Sequence, residues 1–246
     1  MKSVMTALLI LGLTAAMVVP AAYADSVTVN SSSAVTFLPN GTSTTTDFPS
    51  AFTAANFDSA QTGANAAVLT STPFYTTAAS LTTAGAQWIG TSAGGGNGSS
   101  PDYTALYAIS FTIPNTFVSG SLTFNYEVDN ALGDTNAGIY LNGIALPGST
   151  GIPCGAGVAC SGAFSALQTY TNSNVTADLV QGTNWLYIDG VNLGAEGGLI
   201  FSADISTTNA TVPESSTLRL MLIGIGVIGL LLVMRKRIAR GLPQAT

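Results

Sequence analysis

Apolar and polar residues alternate along several short stretches of this chain, and the alternation predicts β-strands. From 103 to 113, apolar residues occupy every second position, with Leu106 as the one exception on the other face. The stretch 122–129 repeats the pattern, with Thr, Asn, Glu and Asp at the alternate positions. A period of two residues is typical of a strand that buries one face. We therefore expect two half-buried strands in these stretches.

Turn signals separate the other strand-like stretches. Asn142-Gly143 is a strong hairpin signal, and the hairpin is expected to continue to residue 146. Further strands are expected over 26–30, 34–38, 175–180, 185–191 and 199–205. No convincing helical period accompanies them. Many short strands separated by turns predict an all-β domain over 25–205, folded as an antiparallel β-sandwich.

The beginning of the chain differs from this middle part. Residues 1–24 combine a positive charge at Lys2, a short apolar run and an Ala-x-Ala site that ends at Ala24. This is the pattern of a secretory signal peptide, with cleavage expected before Asp25. Retention as an N-terminal anchor is the alternative, and the shortness of the apolar run argues against it.

Near the other end, an apolar run over 220–234 precedes a basic cluster. We expect 206–217 to be a linker with a sorting motif, 218–240 a single transmembrane helix and 241–246 a tail, although the run is shorter than the roughly 20 residues of a comfortable span. The basic stop consists of Arg235, Lys236, Arg237 and Arg240. Basic residues mark the cytoplasmic side, so the domain is expected to be exported through the Sec pathway and periplasmic at the inner membrane, temporarily or stably.

The distribution of charge excludes several kinds of chemistry between residues 25 and 212. The chain has 6 Lys and Arg residues, all in the terminal segments, and no His. Phosphate loops need a Lys, nucleic-acid-binding surfaces need a basic face, and catalytic triads need a His or Lys base. Uncharged polysaccharide or Ca²⁺ is therefore the expected kind of partner, and nucleic acid is not.

The end of the chain resembles a known sorting signal. A short Pro-Glu motif, a glycine-containing apolar run and an arginine cluster follow one another, as in the PEP-CTERM signal of Gram-negative exopolysaccharide producers. The motif consists of Val212, Pro213, Glu214, Ser215, Ser216 and Thr217. Ser215 stands where the family has a second proline. The resemblance implies that an exosortase-like membrane protease cleaves near the motif and delivers the protein to the cell surface or medium.

The strands between 107 and 203 are similar to galactose-binding-like jelly rolls. The similarity rests on the Leu-Asn-Gly turn at 141–143 and on the Gly-x-Asn-x-Leu stretch at 182–186. It implies a jelly-roll sandwich of a kind found in carbohydrate-active proteins. Because these motifs are mostly structural, the resemblance supports the fold more than a binding site.

One strand offers a candidate carbohydrate site. If Leu186 and Ile188 face the core, then Trp185, Tyr187 and Asp189 share the opposite face. Aromatic rings beside polar groups stack on sugar rings and bond their hydroxyls. The alternative is that the N-terminal segment covers this face, because large aromatic side chains are usually mostly buried.

A loop offers a candidate calcium site. Asp129, Asn130 and Asp134 supply the oxygen ligands that Ca²⁺ prefers, and ordinary solvated turn residues are the alternative. Glu127 and Asp129 lie two apart on one strand face, and paired carboxylates hydrolyse glycosides. Their spacing is plain strand alternation, so no catalytic residue is assigned.

Cys154 and Cys160 lie in a Gly-Pro-rich loop. In an exported chain they are expected to form a disulfide. A metal or redox pair is the alternative, but no His or further Cys completes a zinc site.

These features predict an exported, non-enzymatic cell-surface or extracellular-matrix protein that associates with exopolysaccharide. A structural or adhesive surface protein without a defined sugar pocket is the second hypothesis. A glycan-active hydrolase is the third.

Overall fold

The computed structural model describes residues 24–40, 48–70, 75, 77–93, 103–152, 166–194, 197–209 and 215–240. The strands, in chain order, are β1 (Ala24–Asn30), β2 (Thr36–Pro39), β3 (Ala64–Asn65), β4 (Ala67–Val68), β5 (Ile89–Gly90), β6 (Ala105–Ile113), β7 (Phe117–Asp129), β8 (Ala131–Ala137), β9 (Ile139–Leu141), β10 (Ile144–Ala145), β11 (Thr150–Ile152), β12 (Gln168–Asn172), β13 (Gly182–Val191) and β14 (Gly198–Asn209). The helices are α1 (Ala54–Gln61), α2 (Ala79–Thr83) and α3 (Ser215–Arg240). The chain from Ala24 to Asn209 forms one compact unit, and α3 belongs to a second unit.

The strands form two antiparallel sheets that pack against each other. Sheet I has the order β12-β7-β14-β5-β4, and β1 also pairs with β14. Sheet II has the order β10-β9-β13-β6-β2-β3, with β8 paired to both β13 and β11. The predicted antiparallel β-sandwich is confirmed, and its jelly-roll character stays a prediction.

The core between the sheets follows the predicted alternation. On β6 and β7, the buried core residues include those expected to face inward: Tyr107, Phe111, Ile113, Leu122, Phe124, Tyr126 and Val128. Inward residues of β14 and β1 also belong to this core. The first and last strands of the domain, β1 and β14, pair over seven registered positions, from Ala24 opposite Thr208 to Asn30 opposite Ser202. The two ends of the domain therefore lie side by side.

The predicted hairpin at Asn142-Gly143 is confirmed. Both residues have positive φ, 51° and 83°, as a two-residue hairpin turn of this kind requires. The side-chain amide of Asn142 donates to Oδ1 of Asn184 at 2.8 Å, and its own Oδ1 accepts the backbone N–H of Trp185 at 2.9 Å. The Leu-Asn-Gly and Gly-x-Asn-x-Leu stretches are thus joined by side-chain hydrogen bonds, which gives both a structural role.

The prediction of a strand over 175–180 is wrong. Thr176–Asp178 form a 3-10 turn, because Val175 and Leu179, four positions apart, are both buried against Gly120. A Cβ at Gly120 would lie 2.8 Å from the Leu179 side chain. Two short helices, α1 and α2, also occur where the sequence showed no helical period.

Helix α3 occupies the segment that was expected to cross a membrane. Its described side chains, at positions 221–236, are exposed. In the part of the chain that the structure describes, no helix is both long and apolar enough to cross a bilayer. The transmembrane helix expected over 218–240 is therefore not borne out, and the apolar run of its sequence is shorter than the roughly 20 residues of a span.

Candidate functional site

The three residues predicted to bind carbohydrate lie on the outer face of sheet II, as alternation along β13 requires. That face is not open to solvent. Tyr187 is 2% exposed and Asp189 is 0% exposed, while Trp185 is half-buried. The expected exposure is therefore wrong for Tyr187 and Asp189. The alternative, in which the N-terminal segment covers the face, holds at Tyr187.

The covering segment contains α1, and its residues are here called the Phe57 cover. They are Phe48, Phe52, Phe57 and Ala60. Helix α1 begins with a capping box, in which the side chains of Thr53 and Asn56 each accept the other's backbone N–H. This start directs the ring of Phe57 onto sheet II, 4.7 Å from the ring centre of Tyr187 and 5.3 Å from that of Tyr140.

The surroundings of Tyr187 give it a structural role. Gln61, at the end of α1, donates from its side-chain amide to the Tyr187 hydroxyl. Burial raises the pKa of Tyr187, the Gln61 bond opposes this rise, and the charge of Asp58 adds to it. The hydroxyl therefore stays neutral and holds the end of α1 on the sheet.

Glu127 and Asp129 are also buried, although both were expected on the solvent face of β7. Glu127 is 1% exposed and Asp129 is 8% exposed. Oε1 of Glu127 accepts the backbone N–H of Ala78 at 2.9 Å, and Oδ2 of Asp129 accepts the hydroxyl of Tyr75 at 3.0 Å. The two acids therefore hold a second chain segment on the outer face of sheet I.

That second segment is here called the Trp88 cover. It consists of Leu69, Tyr75, Leu81, Ala86 and Trp88, packed with Ile200 of β14. The rings of Tyr75 and Trp88 stack with centres 4.2 Å apart. Gly198 permits this approach, since a Cβ there would lie 3.1 Å from Tyr75 and 3.2 Å from Trp88.

The carboxyl group of Glu127 sits at the edge of this packing. Burial raises its pKa, and the hydrogen bond from Ala78 partly opposes the rise. Its second oxygen, Oε2, is buried with no hydrogen-bond partner among the described residues. A carboxyl group in these surroundings holds the Trp88 cover and does not face a substrate at the surface.

The predicted calcium ligands lie where β7 passes into β8. Asp129 is engaged by Tyr75, and Oδ1 of Asn130 accepts the backbone N–H of Leu193 at 2.6 Å. Asp134 lies within β8. Within the described ranges, no group of three or more His, Cys, Asp or Glu side chains is arranged to hold a metal ion. Asp129 and Asn130 thus serve the fold, and calcium binding stays a prediction.

The disulfide and part of the sorting motif lie outside the described residues. Cys154 and Cys160 fall within 153–165, and the first three motif residues fall within 210–214. The other three motif residues open α3, and its C-terminal turns contain the basic stop: Ser215, Ser216 and Thr217, then Arg235, Lys236, Arg237 and Arg240. The disulfide and the sorting signal stay predictions.

One open part of the domain, among the described residues, is the outer face of sheet I beyond the Trp88 cover. Four neighbouring strands, β12, β7, β14 and β1, contribute to it in register. It is here called the hydroxyl face and consists of Thr169, Thr171, Ser119, Ser121, Thr123, Asn125, Ser202, Asp204, Ser206, Thr208, Ser26, Thr28 and Asn30. Twelve of these positions are Ser, Thr or Asn, and Ser202 alone is buried.

Register pairing arranges these side chains in rows across the strands. One row contains Thr171, Thr123, Asp204 and Thr28. Neighbouring strands lie about 4.8 Å apart, so the row is a closely spaced line of polar groups. Oγ1 of Thr28 donates to Oδ1 of Asp204 at 2.6 Å. The single carboxylate of the face is therefore held near its centre.

Sequence reasoning missed the hydroxyl face, although a signal for it exists. The outward positions of β6 include Leu106, which is 0% exposed, while those of β7 include Thr123 and Asn125. Leu106 was the exception to the alternation, and its outward position indicated a sheet that is covered. Comparing outward positions between strands, rather than reading each strand alone, separates the covered part of sheet II from the open part of sheet I.

The sequence matches no protein-family model and no curated protein. Among solved structures, the chain is similar to the native structure of a family 35 carbohydrate binding module from Clostridium thermocellum, with 10% identity and a TM-score of 0.33, covering 72% of this chain and 97% of that one. It is also similar to a GH26-CBM35 β-(1,4)-mannanase from Podospora anserina, with 16% identity and a TM-score of 0.31, covering 74% of this chain and 29% of the mannanase. At these TM-scores, neither likeness carries an argument about this chain.

Proposed function

We propose that this protein is a non-enzymatic, carbohydrate-associated module whose hydroxyl face binds an uncharged polysaccharide. The observation that carries the proposal is the composition of that face, where four registered strands present hydroxyl and amide groups with one carboxylate. Hydroxyl and amide groups both donate and accept hydrogen bonds, as sugar hydroxyls do. A wide polar face therefore matches the chemistry of a sugar chain at many points.

An extended polymer suits this face better than a small sugar. A neutral hydrogen bond contributes only about 0.5–1.5 kcal/mol net, and the face has no aromatic residue on which a ring stacks. Affinity must therefore come from many contacts made at once along a chain. Rows of Ser, Thr and Asn that run across four strands offer such contacts.

Charge favours an uncharged ligand. Asp204 lies near the centre of the face, and no Lys, Arg or His occurs between residues 25 and 212. A negative field repels carboxylated or sulfated glycans and leaves neutral ones unaffected. The ligand class of the proposal is therefore neutral polysaccharide.

The buried acids support the non-enzymatic part of the proposal. Glu127 and Asp129, the pair that was considered for glycoside hydrolysis, bond to Ala78 and Tyr75 beneath the Trp88 cover. Glycosidases place two carboxyl groups on either side of the scissile bond. Two acids that are engaged by a covering segment do not offer that arrangement.

Export belongs to the same proposal. The signal-peptide pattern of residues 1–24 and the PEP-CTERM-like end of the chain support secretion through the Sec pathway, processing by an exosortase-like protease and delivery to the cell surface or matrix. Intact mass spectrometry of the protein from the membrane, surface and medium fractions tests this. Loss of residues 1–24 is expected, and a full-length cytoplasmic protein would overturn it.

Affinity electrophoresis tests the ligand class. The full-length chain is run through native gels containing galactomannan, hydroxyethylcellulose or alginate. The double variant Thr123→Val/Thr171→Val is compared with the double variant Thr112→Val/Thr183→Val. Thr112 and Thr183 are a matched exposed pair on sheet II that also lie directly opposite each other on neighbouring strands. Valine keeps the β-branched shape and removes only the hydroxyl group.

Retardation is expected in a neutral gel and not in alginate. The Thr123/Thr171 double variant is expected to bind roughly tenfold more weakly, since two hydrogen bonds of about 0.5–1.5 kcal/mol are removed. The Thr112/Thr183 double variant and Trp185→Ala are expected to bind like the wild type. No retardation in either neutral gel, or equal losses in the two Thr pairs, would overturn the proposal.

A further inference from the structure

The outer edge of β12 is a candidate surface for association between copies of this chain. Strand β12 is the last strand on one side of sheet I. All five of its residues pair with β7 on one side, and among the described residues no strand pairs with its other side. The N–H and C=O groups of an edge strand that point away from the sheet are a template for pairing with another strand.

Charge, proline and a bulge, three of the usual protections of an edge, are missing from the five residues of β12. Natural edge strands are kept short, charged, bulged or interrupted by proline. The end strands β3, β4 and β10 have two residues each, and β1 carries Asp25. In contrast, β12 has the sequence Gln-Thr-Tyr-Thr-Asn, without charge or proline, and its register with β7 has no bulge.

The edge is also held rigidly in place. The hydroxyl of Tyr170, at the centre of β12, donates to the backbone carbonyl of Pro147 at 2.8 Å. On the other face of the strand, Oγ1 of Thr169 donates to Oδ1 of Asn125 at 2.8 Å. A strand fixed on both faces presents its outer edge in a single conformation, which lowers the entropic cost of pairing.

We propose that two copies of this chain associate through their β12 strands, paired antiparallel about a two-fold axis. Such an interface closes on itself and so gives a dimer rather than a fibre. With Tyr170 on the axis, Thr169 of one copy lies opposite Thr171 of the other, and Gln168 lies opposite Asn172. Thr–Thr pairs are favourable cross-strand neighbours, and facing amides donate and accept in turn.

The dimer joins the two sheets I into one continuous sheet. The hydroxyl faces of the two copies then lie on the same side of it, because paired strands keep a common face. If the proposed polysaccharide binding is correct, one dimer contacts a sugar chain over twice the width. The association itself does not depend on any sugar.

Light scattering coupled to size-exclusion chromatography tests the proposal on the full-length chain. The edge variant carries Thr169→Lys and Thr171→Lys, which places like charges opposite each other in the dimer and is destabilising for a cross-strand pair. The control carries Ser110→Lys and Thr112→Lys, two exposed positions that lie two apart on β6 of sheet II, as Thr169 and Thr171 do on β12. Association through any other segment is common to all three chains.

The wild type and the control are expected to show twice the molar mass of the edge variant. Equal masses for all three chains would overturn the proposal. A thermal unfolding curve identifies an edge variant that fails to fold, and in that case hydrogen exchange of the wild type decides. As the protein concentration is raised, hydrogen exchange of the β12 amides that do not bond to β7 is expected to slow by roughly tenfold or more. Amides that exchange without protection at every protein concentration would overturn the pairing.

Discussion

The outer faces of the two sheets share one alternation of residues and have different surroundings. On sheet II the outward positions include Leu106, Tyr140 and Tyr187, and the Phe57 cover lies over them. On sheet I, beyond the Trp88 cover, the outward positions are Ser, Thr and Asn with the one carboxylate of Asp204, and all of them except Ser202 reach solvent. The chemistry of the outward residues, rather than the alternation itself, thus decides whether a sheet receives a third layer.

The energetic reason is the area of apolar surface at stake. Burying apolar surface stabilises by about 25 cal/mol per Å², and aromatic side chains offer the largest areas. A row of hydroxyl groups offers little apolar area and loses its bonds to water when it is covered. Packing the same N-terminal segment on the hydroxyl face would therefore not stabilise the fold.

The largest expected effect comes from emptying the Phe57 cover. Phe57 is 8% exposed and its ring contacts the rings of Tyr187 and Tyr140. Phe57→Ala is expected to lower the free energy of unfolding by about 3–5 kcal/mol, because it removes a large buried ring and leaves a cavity. Urea denaturation measures the change.

Thr123→Val on the hydroxyl face is the matched control for this comparison. A surface substitution away from special features usually changes stability by no more than about 0.5 kcal/mol. If Phe57→Ala costs as little as Thr123→Val, then the Phe57 cover is not part of the packed fold. The distinction between a covered and an open sheet face would then be lost.

A smaller effect is expected within sheet I, where the Trp88 cover meets Glu127. Glu127→Gln keeps an oxygen that accepts the Ala78 N–H and removes the buried charge. Because the pKa of Glu127 is raised in the folded protein, its favourable contribution is complete below the ordinary value of 4.5 and is lost as the pH rises through the raised pKa.

The free energy of unfolding of the wild type is therefore expected to fall relative to that of Glu127→Gln as the pH rises from 4 towards 8. Chemical denaturation of both proteins across this range, about pH 4–8, measures the difference. Asp204→Asn on the open face serves as the control. A constant difference between wild type and Glu127→Gln would show that Glu127 is not desolvated by the cover.

The smallest effect is expected at the end of sheet I, where Asp25 continues the inner face of β1 beyond Val27 and Val29. The amides of Asn115 and Asn209 donate to Oδ2 of Asp25 at 2.7 and 3.0 Å. The Asn115 bond and then the Asn209 bond lower the pKa of Asp25. The stability that this provides is complete above the ordinary value of 3.8 and is lost as the pH falls through the lowered pKa.

Asn115→Ala is expected to move the pKa of Asp25 upward, towards its ordinary value, with little change in stability near neutral pH. A carboxyl-carbon NMR titration of Asp25 follows the shift. Asn125→Ala is the control, because Asn125 lies on the same sheet and makes no hydrogen bond to Asp25. An unchanged titration of Asp25 in Asn115→Ala would mean that this bond is not formed in solution.

The sequence allowed the sandwich, the inner faces of β6, β7 and β13 and the Asn142-Gly143 turn to be predicted, because period-two alternation and turn chemistry are local. The Phe57 cover was foreseen only as an alternative, and the Trp88 cover was not predicted. Whether Phe57 packs on Tyr187 depends on two segments far apart in the chain, and a capping box begins a helix too short to show a period. The burial of Glu127 and Tyr187 follows from these distant contacts, so each was expected at the surface.

The pairing of β14 with β7 on one side and β1 on the other affects how the domain responds to force. Strand β14 ends at Asn209, between β7 and β1, and its twelve residues pair with β7 over nearly the whole length. A pull on the chain beyond Asn209 acts along β14, whereas the hydrogen bonds of an antiparallel ladder run across it. The load is then shared by many bonds in shear instead of opening them one at a time. Forced unfolding is governed by the rate of unfolding, so the domain is expected to unfold slowly when it is pulled from this end.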